Sequence, residues 1–327
     1  MARPMSARPA AASAPPALAA TGAAPPPPAA AEAPAAFPGL AARPAAGFWV
    51  ASLRRFLRNR FALSALGALL LLVALSFAAP LIGRALGVDR DAIELLDNYQ
   101  PPSARHWLGT DEYGRDYFIR LLYGGQVSIL MGLGVAAIIL AIGVPLGILA
   151  GYYGGALDDL FNWIVQILIS VPRIPLYILV AAWLPPTPPS LALLLGSLAW
   201  PGNARQARGL TFSLKRTDYV LAARALGATD RRIMFRHILP NLFSLMIVLA
   251  GFDVIVGVFA EVTLSFLGFG IRPPVPSWGN MLTNSLTYMF KAPYLVIFPG
   301  LAIGLLVLCV YTLADGLRDA FDPRLAE

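Results

Sequence analysis

Long apolar runs separated by polar stretches dominate the chain. The first covers residues 61–82. As a helix it spans about 33 Å, enough for a hydrocarbon core of about 30 Å. Residues 127–152, 160–184, 242–267 and 294–313 repeat the pattern. Residues 191–202 are short if counted strictly. Extended from the turn Pro185-Pro186-Thr187-Pro188-Pro189 to about Gln206, they complete a set of six. Gly143, Gly147 and Gly151, four residues apart in the second run, predict a face on which another helix packs closely. Between the first two runs, residues 83–123 mix five arginines with seven acids. There Asp111 reads as a helix cap before an amphipathic segment from Tyr113 to Tyr123. Trp278 reads as an interfacial anchor.

Composition agrees and adds exclusions. The 327 residues are 57% hydrophobic and 13% charged. Soluble domains average about 45–50% apolar and about 25% charged, so an ordinary soluble enzyme is excluded. Part of the apolar excess is of another kind. Residues 1–47 hold 11 of the 29 prolines and 21 alanines, with few side chains large enough to bury. They predict a disordered or polyproline-like tail, and the prolines rule out the amphipathic helix of a transit peptide. Cys309 is the single cysteine, so no internal disulfide is expected, and its place in the last run makes it an inert core residue. His106 and His237 stand far apart and no cluster has metal-ligand spacing. The only lysines, Lys215 and Lys291, do not follow glycine, so the chain carries no P-loop. No catalytic residue, metal or bound cofactor is expected of it.

The net charge of +7 is unevenly spread. Arg54, Arg55, Arg58 and Arg60 precede the first run, which places the N-terminus in the cytoplasm by the positive-inside rule. Residues 201–240 carry a net +6. An even number of crossings returns both that loop and the C-terminus to the cytoplasm. The basic excess is therefore a topology signal, and nucleic acid is excluded as a partner.

The most specific stretch lies in that loop: Asp218-Tyr219-Val220-Leu221-Ala222-Ala223-Arg224-Ala225-Leu226-Gly227, then Thr229-Asp230, ending His237-Ile238-Leu239-Pro240-Asn241. Asp218 is placed to cap a short helix and Gly227 to end it in a left-handed conformation. Thr229 and Asp230 start a second helix, and Pro240 is expected to break it before the fifth run. On physical grounds this is either a basic helix pair on anionic lipid or a shallow surface for another protein.

The spacing of two alanines, a glycine and a later Leu-Pro resembles the EAA loop of binding-protein-dependent ABC importer permeases. Residues 108–116, Leu-Gly-Thr-Asp-Glu-Tyr-Gly-Arg-Asp, and 261–270, Glu-Val-Thr-Leu-Ser-Phe-Leu-Gly-Phe-Gly, followed by Pro276-Ser277-Trp278-Gly279, narrow it. Together they are similar to the C-type subunit of the dipeptide, oligopeptide and nickel branch, over about residues 54–324. The resemblance implies an all-α integral membrane fold of six transmembrane helices, the type I importer (MetI-like) domain. Its divisions are the tail 1–47, a segment 48–116 with the first helix and outer loop, and a five-helix core 117–327 with the coupling loop at 205–240. It further implies a B-type permease partner, two ATPases that hold ATP and Mg, an external solute-binding protein, and a bacterial inner membrane. The chain would be half of a pore for peptides, with nickel, opines or another small solute as the alternative. Leu221 replaces the family's glutamate and removes a polar contact to the ATPase. An ion-gradient-driven transporter or a channel would need no such loop.

Three charges fall within apolar runs: Arg173, Asp253 and Glu261. Each costs at least roughly 2.5 kcal/mol near the bilayer centre, so each needs a partner or water. Counted along straight helices, Arg173 and Asp253 reach similar depth. This predicts an interhelical ion pair that either lines the pathway or locks two helices. Glu261, which matches the family motif, is expected near the outer end, bonding a loop or facing a cationic solute.

Overall fold

The computed structural model describes residues 45–321 except Pro186. The expected tail lies outside the described residues, apart from its last three positions, which begin the first helix. Helices follow in the order α1 (Ala45–Arg58), α2 (Arg60–Phe77), α3 (Ala79–Leu86), α4 (Tyr117–Tyr153), α5 (Gly155–Ser170), α6 (Arg173–Ala181), α7 (Pro188–Ala199) and α8 (Pro201–Leu214). Then come α9 (Asp218–Ala225), α10 (Asp230–Ile233), α11 (Leu239–Phe266), α12 (Trp278–Met281), α13 (Ser285–Lys291) and α14 (Tyr294–Phe321). No strand occurs among the described residues.

The six expected spans become four clear ones and a broken fifth. The helices Arg60–Phe77, Tyr117–Tyr153, Asp230–Phe266 and Tyr294–Phe321 are long and apolar enough to cross a membrane. α5 and α6 form one span only if their 84° bend is counted through. The bend falls at Val171-Pro172, where proline disfavours helical geometry in the residue before it. α7 has only 12 residues, about 18 Å. Helical backbone angles pass through Trp200 into α8, whose polar residues supply no further apolar length.

α4 is the axis of the molecule, packed against α2, α7, α8 and α11, while α14 closes on α11 and α2. The glycine face behaves as expected and receives α8. A Cβ at Gly143 would lie 3.0 Å from the Trp200 carbonyl, and one at Gly151 would lie 2.6 Å from that of Arg208. One apolar core fills the space between α4 and α7, and a second joins α4, α11, α12 and α14. Cys309 is buried, as expected.

Three local expectations are corrected. Asp116, not Asp111, caps α4, accepting from Ile119 N at 3.0 Å. Gly114 (φ +75°) turns the chain before the helix, and Asp111 holds that turn and pairs with Arg115 at 2.7 Å and Arg120 at 3.4 Å. Trp278 is no interfacial anchor. It is 1% exposed, and its ring N–H donates to the Leu121 carbonyl at 2.9 Å. Pro240 does not interrupt the helix, because residues Met234–Ile238 form a π-helical turn directly before α11. The wider turn re-routes bonding around a residue with no N–H, and Asn241 Nδ2 donates to the His237 carbonyl at 2.6 Å.

Candidate functional site

The two ends of α4 carry different chemistry, and a cavity lies between them. At the C-terminal end sits the loop. Thr217, with extended angles, precedes α9, so Asp218 is the first helical residue and not the cap. Its charge still faces the positive end of the helix dipole. Gly227 adopts φ +81°, and Ala228 N donates to the Ala223 carbonyl at 3.0 Å, closing the helix as expected. Thr229 caps α10 through Arg232 N at 3.4 Å.

This hairpin has one buried side and one bare apolar side. Val220, Ile233, Met234, Ile238 and Leu242 pack with Val144, Ile148 and Tyr152 of α4. Outward stand Leu221, Ala222, Leu226 and Phe235, with Leu226 89% exposed. Leu221 thus enlarges an apolar patch where the family pattern has a charge. Ala223 and Leu239 are half-buried, Pro240 is exposed, and the His237 ring stands 6.5 Å from that of Tyr219.

Sequence reasoning missed what ties the hairpin down. Tyr152 Oη donates to Asp230 Oδ1 at 2.6 Å and accepts from Arg224 Nη2 at 3.0 Å. Lys215 Nζ caps the end of α4 through the carbonyls of Gly151 (2.7 Å) and Tyr152 (3.2 Å), and burial pushes its pKa down. Arg208 pairs with Asp158 through both carboxylate oxygens. The hairpin is therefore bound to α4 by apolar packing and by polar contacts.

A cavity of about 670 Å³ opens between α4, α6, α8, α11 and α14. Arg173, Asn203, Gln206, Asp253 and Arg318 face it among apolar neighbours. Asn203 Nδ2 donates to Asp253 Oδ2. The expected Arg173–Asp253 ion pair is not formed: the two residues share the cavity without contact among the described ion pairs. The bend before α6 explains this, since depth counted along one straight helix does not survive an 84° turn. No signal along the sequence marked Asn203.

Glu261 lies elsewhere, at 0% exposure. Ser265 Oγ donates to it at 2.8 Å and Ser277 Oγ at 2.7 Å. Ser128 Oγ lies 3.5 Å away and accepts from Trp278 N at 3.0 Å. A Cβ at Gly279 would approach Glu261 Oε1 to 2.7 Å. Glu261 thus anchors the loop that carries Pro276-Ser277-Trp278-Gly279, the first of its two expected roles.

Residues 143–327 match the family described as "Binding-protein-dependent transport system inner membrane component". The chain belongs to that family. Residues 47–102 match the "N-terminal TM domain of oligopeptide transport permease C". The chain is 39% identical to the Oligopeptide transport system permease protein OppC of Mycobacterium tuberculosis, over 83% of this chain and 92% of that protein. It is 40% identical to the Glutathione transport system permease protein GsiD of Pectobacterium atrosepticum, over 85% and 90%. It is 35% identical to OppC of Bacillus subtilis, over 85% and 90%. The protein is a multi-pass membrane permease component of an ABC transport system.

Proposed function

We propose that this permease forms half of the translocation pore of an ATP-driven importer of di- and oligopeptides. The supporting observation is the hairpin: an apolar face with Leu221, Ala222, Leu226 and Phe235 is exposed while its other side is tied to α4. A small, rigid, apolar knob outside the membrane fits a socket on a cytoplasmic ATPase, and its links to α4 carry the ATPase's closure into the spans. ATP and Mg are held by two such ATPases, and no cofactor by this chain. A B-type permease supplies the other half of the pore, and a solute-binding protein outside the membrane delivers the solute. The location is the bacterial inner membrane. The basic residues 54–60 and 201–240 favour cytoplasmic termini and a cytoplasmic hairpin. Peptides as solute follow from the names of the relatives, and glutathione, named for one of them, is itself a short peptide.

The test is Leu226→Asp in the purified complex. The substitution lies on a fully solvated position, so the permease keeps its fold, while ATPase retention falls at least about tenfold, as for loss of one interface anchor. Full ATPase retention by the variant, or wild-type uptake driven by an ion gradient without ATP, would refute the proposal.

A further inference from the structure

The cavity has the size of a small-molecule site, about 670 Å³ against a typical range of about 300–1,000 Å³. Its wall mixes apolar and polar residues and presents opposite charges from different helices, Asp253 on α11 against Arg173 at the start of α6 and Arg318 on α14. Asp253 is 6% exposed, and a neutral amide, Asn203, is the one side-chain hydrogen-bond donor found for it among the described residues. An ionised carboxylate accepts about four hydrogen bonds, so Asn203 leaves most of that capacity to whatever enters the cavity. Arg173 is exposed and has no carboxylate partner among the described residues. Charges kept in a membrane-spanning wall without direct counter-charges mark a pathway for something that supplies them.

We propose that Asp253 and Arg173 form a transient binding site for a zwitterionic short peptide. Asp253 receives the α-ammonium group, and Arg173 binds the α-carboxylate through its planar fork. Asn203 is a positioning residue that holds the Asp253 carboxylate toward the cavity. The site rests on the reading of the permease as a peptide importer and adds a selectivity step after delivery by the binding protein. Unlike an ion pair between two helices, charges held apart present both poles to a solute.

The experiment uses the complete importer in liposomes with Ala-Ala, N-acetyl-Ala-Ala and Ala-Ala-amide as probes. Asp253→Asn is expected to lower Ala-Ala uptake about tenfold, the loss of one charge-assisted contact, while N-acetyl-Ala-Ala uptake stays level. Arg173→Gln is expected to collapse the Ala-Ala to Ala-Ala-amide ratio in the same way. Each ratio is taken within one preparation, so the amount of folded complex cancels and the binding protein's preference is constant. Arg173 is exposed, so its variant decides the matter even where Asp253→Asn assembles poorly. Wild-type peptide uptake with unchanged ratios in the variants overturns this site and leaves the peptide reading standing. Wild-type complex that takes up nickel and none of the three peptides overturns both.

Discussion

Two carboxylates on one helix have opposite surroundings. Asp253 and Glu261 are eight residues apart on α11, about 12 Å along the axis and about 80° around it. Glu261 is enclosed at 0% exposure and held by the hydroxyls of Ser265 and Ser277, with Ser128 beside them. Asp253 touches the amide of Asn203 and otherwise faces the cavity. A buried charge whose hydrogen bonds are satisfied joins distant segments, here α4, α11 and the loop before α12. A charge left partly unsatisfied beside open volume remains free for a solute. The same side-chain chemistry yields an enclosed anchor at one level of the helix and a cavity-facing carboxylate at another.

Thermal stability and peptide preference separate the two carboxylates. The largest effect is expected for Glu261→Ala, which strands the serine hydroxyls in an apolar core. Stability should fall by about 3 kcal/mol, read from thermal unfolding in detergent, while any surviving complex keeps its preference among peptides. Ser277→Ala removes one donor from the same cluster and the cap of α12, with an expected loss of about 1 kcal/mol by the same assay. Asp253→Asn should sit lowest, within about 0.5 kcal/mol of wild type, because the cavity side tolerates a neutral isostere. A loss at Asp253 as large as that at Glu261 would show that both are structural. A change in peptide preference in Glu261→Gln would show that the enclosed carboxylate also takes part in transport.

The hairpin gives the same lesson at the end of α4. Gly227, Thr229 and the alanines could be read in order along the chain, because caps and left-handed turns depend on a few adjacent residues. Tyr152 could not. It lies 72 residues before Arg224 and 78 before Asp230 and meets both only in the folded molecule. Tyr152→Phe should leave the hairpin folded at a cost of about 1 kcal/mol and raise ATP hydrolysis that is not matched by uptake. Equal coupling in that variant and wild type would assign force transmission to the apolar packing alone.

Local pattern was enough for the membrane character, the glycine face of α4, the basic loop and the family motifs, because hydropathy, small-residue spacing and charge bias act along contiguous residues. It misled where the outcome depended on distant partners, as at Trp278 and Arg173, and on local backbone geometry at Pro240. Pro240 was absorbed by a π turn, Trp278 was drawn into the core by the Leu121 carbonyl, and the bend before α6 kept Arg173 from pairing with Asp253. The sequence alone determined that the chain crosses a membrane and carries a basic loop with two alanines, a glycine and a Leu-Pro at spaced positions. Only the tertiary structure decided which intramembrane charges are enclosed and which face a cavity. The partners that satisfy a buried charge come from other helices, and their distance along the chain says nothing about their distance in space.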